Sequence, residues 1–211
     1  MKMIVGVAVV AGIVVVSSIL LRPRVARAAM LKEGEIAPPI TSQMVTGDQI
    51  TPFSLSDYRG RRLILYFYPK DDTPGCTKEA CSFRDGFASF QHAGLTVVGC
   101  SVDSSDAHRA FIKKYNLPFP LLLDPDRKIA TIYGAANGIP ILGLDRRITY
   151  VIGEDGRIMK VYPNVDPSVH AKQILADLPP PPPAAAASPA TSQGGASPAA
   201  ASSPAADDDE D

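Results

Sequence analysis

The segment Tyr66-Phe-Tyr-Pro-Lys-Asp-Asp-Thr-Pro-Gly-Cys-Thr-Lys-Glu-Ala-Cys81 carries two thiols five positions apart, the first at the start of an expected helix. Thr73 suits an N-cap and Pro74 the first helical position, which puts Cys76 in the first turn. There the backbone N–H groups lack intrahelical partners, and together with the positive end of the helix dipole they favour a thiolate. Cys76 is therefore placed as a nucleophile, with Cys81 as a thiol that can bond to it. On an ideal helix these two Cα atoms stand about 8 to 9 Å apart, beyond the roughly 7 Å that a disulfide spans. The spacing thus predicts a catalytic cycle with a local unwinding step rather than a permanent crosslink. Two merely structural cysteines would sit on the buried apolar face, here Ala80, Phe83, Phe87 and Phe90, whereas Cys76 lies one turn before its first member, near the rim of the core.

The other candidate groups point away from metal or nucleotide chemistry. There is no Cys-x2-Cys pair, no clustering of histidines and no phosphate-binding loop. Cys100 lies in an apolar strand and reads as a small buried hydrophobe. His92, His108 and His170 stand singly among polar neighbours on expected helices and read as surface residues. Gly134-Ala-Ala-Asn-Gly138 follows a helix rather than a strand, so it reads as a helix end and loop, not a nucleotide fingerprint. No cofactor is expected.

The elements that must position Cys76 alternate along the chain. Leu63 to Tyr68 is a continuous apolar run that reads as a buried strand, ended by Pro69 and the turn residues that follow it. A helix is expected over Cys76 to Gln91, a strand over Leu95 to Val102, a helix over Ser104 to Tyr115 and a strand over Leu121 to Leu123. A short helix spans about Arg127 to Tyr133, and strands Thr149 to Ile152 and Ile158 to Val161 flank an Asp155-Gly156 turn as an antiparallel hairpin. Asp166-Pro167 caps a last helix with Ala171, Ile174, Leu175 and Leu178 on its apolar stripe. This order implies an α/β domain with a mixed central sheet covered by helices on both faces.

Pro69, Thr73 and Cys76 meet the pattern Pro-x3-Thr-x2-Cys, and the segment resembles the active-site loop of the peroxiredoxins, in particular the Q-type or bacterioferritin comigratory protein subgroup. The likeness continues through Val98-Gly-Cys-Ser-Val-Asp103, His108 to Asp126, and Arg147-Ile-Thr-Tyr-Val-Ile-Gly-Glu-Asp-Gly156, covering roughly residues 33 to 178. It implies a thioredoxin-like fold and a thiol peroxidase. Cys76 would be the peroxidatic cysteine that attacks a hydroperoxide and becomes a sulfenic acid. Cys81 would be the resolving cysteine that condenses with it, and a thioredoxin-like protein would reduce the disulfide. The resemblance further makes Thr73 a hydroxyl that orients the peroxide, Pro69 a shield over the thiolate, and an arginine its electrostatic partner. Of Arg146 and Arg147, spacing back from the Asp155-Gly156 turn favours Arg147. Two other readings of the cysteine pair are a thiol–disulfide oxidoreductase, which would use Cys-x2-Cys geometry, and a copper chaperone, which would need neither Thr73 nor Arg147.

The chain divides into residues 1–31, a domain over 32–178 and a tail over 179–211. Met3 to Leu21 holds 19 residues without a charge, about 28 Å of helix. It is either a membrane anchor or an export signal, and its length favours the anchor. Lys2 before it and Arg22, Arg24 and Arg27 after it place the domain on the cytoplasmic face by the positive-inside rule, whereas cleavage near Ala26-Arg-Ala28 would export it. The tail begins as a proline run and ends in Asp-Asp-Asp-Glu-Asp, a composition expected to be disordered. A net charge of −1 gives no argument for nucleic-acid binding. An intramolecular cysteine pair is compatible with a monomer or weak dimer.

Overall fold

Strand β3 (Arg62–Phe67) is buried along its whole length, because its alternating side chains face two different apolar layers. Ile64, Tyr66 and, just beyond the strand, Tyr68 enter one layer with Cys76, Ala80 and Phe83. Leu63, Leu65 and Phe67 enter the other with Val98, Cys100, Tyr133 and Tyr150. The computed structural model describes residues 29–136 and 143–178, so the expectations for the apolar N-terminal segment, the proline-rich tail and the end of the Gly134–Gly138 loop lie outside the described residues.

The sheet has seven strands in the order β2-β1-β5-β4-β3-β6-β7. β3 runs parallel to β4 (Leu95–Ser101), which runs parallel to β5 (Leu121–Leu123). On the other side, β3 is antiparallel to β6 (Ile148–Ile152), itself in a hairpin with β7 (Ile158–Tyr162). Helices α1 (Pro74–Asp85), α2 (Phe87–His92), α3 (Ser105–Tyr115), α4 (Lys128–Ile132) and α5 (His170–Asp177) complete the described fold. It is the mixed α/β, thioredoxin-like architecture that the alternating sequence implies.

Four details differ from the sequence expectation. A hairpin of β1 (Thr41–Thr46) and β2 (Gln49–Ser54) precedes β3, turning at Gly47 with φ 57°. Its residues are mostly exposed and polar, so the apolar alternation that marks a strand is weak there, and Pro52 is tolerated on the sheet edge. The expected helix Cys76 to Gln91 is two helices that meet at Gly86, where Ala171 of α5 packs so close that a Cβ would stand 3.5 Å from its own. The last helix starts at His170 rather than beside Asp166, whose carboxylate instead accepts from the backbone and hydroxyl of Ser168 in a turn. Finally, His108 and His170 are fully buried, not surface residues, because each sits on the inward stripe of its helix, with Phe111 and Ile112 or with Ala171 and Ile174. His92 is exposed.

The β3–β4 register places Gly99 opposite Tyr66. A Cβ at Gly99 would lie 2.7 Å from Leu121 Cδ2 and 2.8 Å from the Tyr66 ring and hydroxyl, so the missing side chain makes room for a fully buried tyrosine. Gly99→Ala is expected to destabilise the protein by about 1–3 kcal/mol through overpacking. A lowered urea midpoint with unchanged m-value checks this; an unaltered midpoint would show that Tyr66 moves aside without cost.

Candidate active site

After β3, the Tyr68 N–H still donates to the Cys100 carbonyl, and the chain then leaves the sheet through Pro69 and Lys70. Asp71 is anchored by its own N–H to Asp103 Oδ2 (2.8 Å), by the Tyr68 hydroxyl to Oδ1 (2.7 Å) and by His108 Nδ1 at Oδ2 (2.7 Å). Asp72 takes a left-handed conformation, φ 57°, and turns the chain towards α1. Thr73 is the N-cap residue in extended conformation and Pro74 opens the helix, as local preferences require. The Thr73 hydroxyl, however, donates back to the Lys70 carbonyl at 3.0 Å instead of capping the helix. Cys76 falls in the first turn of α1 and is 2 % exposed, deeper than a rim position.

Arg147 reaches this sulfur through the sheet register. β6 pairs with β3 so that Ile148 lies opposite Phe67, which delivers the preceding residue to the end of β3 from which Cys76 is launched. Arg147 Nη2 donates to Cys76 Sγ at 3.3 Å, and Nη1 donates to Glu79 Oε2 one helical turn further on. Gly75 makes this approach possible, since a Cβ there would stand 3.3 Å from Nη2. Arg146 donates its backbone N–H to the Ala135 carbonyl, and its side chain is half-buried.

The surroundings are dry and charged. Glu79 is fully buried, and burial pushes its carboxyl up to about 7 in spite of the Arg147 charge. Burial works against the Arg147 cation, but Glu79 and Cys76 together outweigh it and raise its pKa further. Beneath them, His170 Nε2 lies 2.9 Å from the Thr149 hydroxyl. Burial drives His170 down to about 4, with the Arg147 charge adding to the effect, so it stays neutral near neutral pH. Tyr66 and Tyr68 form an aromatic floor, stacked at 5.3 Å between centroids, with Phe83 against Tyr66 at 4.7 Å.

Thus Cys76 and Arg147 are in direct contact, Thr73 stands at the helix cap, Pro69 is half-buried just past β3, and Cys81 is half-buried further along the same unbroken helix. Both of these thiols are free. Cys100 belongs to the opposite face of the sheet, where burial raises its thiol well above the usual range, so the sheet stands between it and Cys76. Glu79, Asp71 and His108 are part of the site or its support but were not singled out from the sequence. Glu79 stands three residues after Cys76, the spacing that puts two side chains on one helix face, and that was the available signal.

A buried thiol in contact with a guanidinium, at a helix start, is equipped for nucleophilic attack with a cation ready for the charge that develops on a leaving oxygen. Comparison with known proteins agrees. The model of the AhpC/TSA family matches residues 34–161. The putative peroxiredoxin bcp of Coxiella burnetii is 42% identical over 153 residues, covering 70% of this chain and 99% of that protein. The chloroplastic peroxiredoxin Q of Sedum lineare is 43% identical over 148 residues, covering 70% and 77%. Among solved structures, peroxidoxin BcpB from Mycobacterium tuberculosis superposes with a TM-score of 0.62 at 31% identity, covering 70% of this chain and 96% of that one.

Glu79 binds its proton more tightly in the fold than in the unfolded chain, where the carboxyl titrates near 4.5. The stability contributed by this proton is therefore complete below about 4.5 and is lost as pH rises towards about 7. The unfolding free energy of the wild type relative to Glu79→Gln should fall across that interval and stay constant above it. Urea denaturation at a series of pH values checks this, and a pH-independent difference would mean that Glu79 keeps an ordinary carboxylate.

Proposed function

Because this chain belongs to the AhpC/TSA family, and is a peroxiredoxin that reduces peroxides through a catalytic cysteine, we propose that Cys76 is that cysteine and Cys81 its resolving partner. The observation that carries the reading is the Arg147 guanidinium 3.3 Å from Cys76 Sγ in a buried site. The Cys76 thiolate attacks the terminal oxygen of a hydroperoxide, the O–O bond breaks, and the departing oxygen takes a proton to leave as water or an alcohol. Cys76 is then a sulfenic acid. The Cys81 thiol attacks its sulfur, forming the disulfide and releasing water, and a thioredoxin-like dithiol restores both thiols by exchange.

Each remaining residue has a part in that sequence. Arg147 favours the thiolate and donates to the peroxide oxygens as negative charge grows. The Thr73 hydroxyl, now donating to Lys70, turns to orient the bound peroxide, and Pro69 keeps water from the sulfur. Since both cysteines lie in the continuous helix α1, bonding between them requires its first turns to unwind. A thiol–disulfide oxidoreductase would use Cys-x2-Cys geometry, which this chain lacks, and a copper chaperone would need neither Thr73 nor Arg147. The uncharged segment Met3 to Leu21 tethers the domain to a membrane, a reading supported by its length and flanking charges; among the described residues no helix is long and apolar enough to cross one.

Cys76→Ser should abolish peroxide turnover, and Cys81→Ser should still oxidise once at Cys76 but fail to recycle, as read by a coupled reductase assay and peptide mass spectrometry. In the same assay Arg147→Ala should slow the peroxide step by about 10²-fold or more, with Arg146→Ala near wild type; equal losses would remove Arg147 from its role. The full chain should sediment with membranes and resist alkaline extraction. Release by alkali would exclude the tether.

A further inference from the structure

The two ends of the segment that has to unwind are tied to one neighbouring helix. On the N-terminal side, His108 of α3 holds the Asp71 carboxylate, with side chains 0% and 5% exposed, while its other ring nitrogen lies 3.1 Å from the Leu122 carbonyl of β5. Asp72 is gripped by the same helix: Lys114 Nζ reaches both its carboxylate oxygens at 2.9 and 2.6 Å, and the Tyr115 hydroxyl donates to Oδ1 at 2.6 Å. These bonds hold the Asp72 carboxyl below the usual carboxylate range. They also retain a non-glycine residue at φ 57°, a conformation that persists only where its surroundings enforce it. On the C-terminal side, Arg84 Nη1 in the last turn of α1 donates to the backbone carbonyl of Tyr115 at 2.9 Å. Residues 73–83 between these ties contain both cysteines. Besides the Thr73 hydroxyl on the Lys70 carbonyl, Arg147 holds their side chains through Cys76 and Glu79. Drawing the Cys76 sulfur into a bond with Cys81 removes the sulfur half of that hold, whereas the ties to α3 do not involve the sulfur.

We propose that α3 is a bracket for the resolving step: His108, Lys114 and Tyr115 fix the N-terminal border of the unwinding segment, and the Tyr115 carbonyl fixes its C-terminal border through Arg84. Opening is thereby confined to residues 73–83, and the loop carrying Pro69 stays in place for the next peroxide. His108 and Lys114 are positioning residues, acting through Asp71 and Asp72. The inference rests on the Cys76–Cys81 reading above.

Hydrogen exchange on the full chain, reduced and after one equivalent of hydrogen peroxide, tests it. In the wild-type disulfide form, amides of 75–83 should lose protection while those of 70–72 and of α3 keep it. In His108→Gln, amides 70–72 should exchange about tenfold faster in the disulfide form, the weight of one hydrogen bond to a charged group. Their exchange in the reduced form, where α1 itself holds the loop, should change much less. Lys114→Met, at an exposed site that does not threaten folding, should act in the same direction by a smaller factor, and Arg84→Met should extend the loss beyond Asp85. A contact that only stabilised the fold would raise exchange equally in both forms. Loss of protection running through 70–72 in the wild type, or disulfide-form patterns in all three variants identical to it, overturns the bracket while the peptide-mapped Cys76–Cys81 bond leaves the catalytic reading standing. Failure to find that bond overturns both.

Discussion

The buried guanidinium of Arg147 is the constraint on which the rest of the site depends. A cation with 18% of its side chain exposed must find acceptors in the fold, and α1 offers two on one face, the Cys76 sulfur and the Glu79 carboxylate. Together they lock the helix against the end of β6 at a single rotation. The ion that contacts the Cys76 sulfur also pairs with Glu79 on the same helix, so in the proposed reaction a change at sulfur bears on the grip on α1. Chemistry and conformational change share one contact.

Burial shifts the titratable groups around that contact. Burial lifts Glu79 towards about 7 and pushes His170 down to about 4. Both shifts have the same origin, the cost of holding a charge away from water; His170 thereby adds no second cation beside Arg147, while Glu79 stays its hydrogen-bonded partner. The Asp71–His108 pair meets its burial differently, by facing hydrogen-bond partners on every side: Tyr68, Asp103 through the backbone, and the Leu122 carbonyl. One half of the site is thus tuned by desolvation and the other by saturation with hydrogen bonds.

The two-faced sheet sets the limits of the redox chemistry. Alternation along β3 and β4 sends Cys76 and its aromatic floor to one layer and Cys100 to the other. Cys100 pairs with Phe67 in the β3–β4 register, inside the second layer. Of the three thiols, then, two lie on one helix and the third faces the other layer of the sheet.

Local sequence preferences determined the apolar run of β3, the cap and proline at the start of α1, the β6–β7 turn and the placing of Cys76 in a first helical turn, because each depends on neighbours a few positions away. They also singled out Arg147 over Arg146 by counting back along a strand. The hairpin β1–β2 was not legible, since an exposed edge hairpin buries too little to impose an apolar pattern, and the break at Gly86 lies where Ala171 of α5 comes into contact. His108 and His170 looked like surface residues for a related reason: a polar side chain on an inward stripe is recognised only when its partner is known. Those partners lie far along the chain, 37 residues from His108 to Asp71 and 71 from Arg147 to Cys76. Strand register and helix packing bring them together, so tertiary structure alone decided which charges meet, how deeply they are buried and how they titrate.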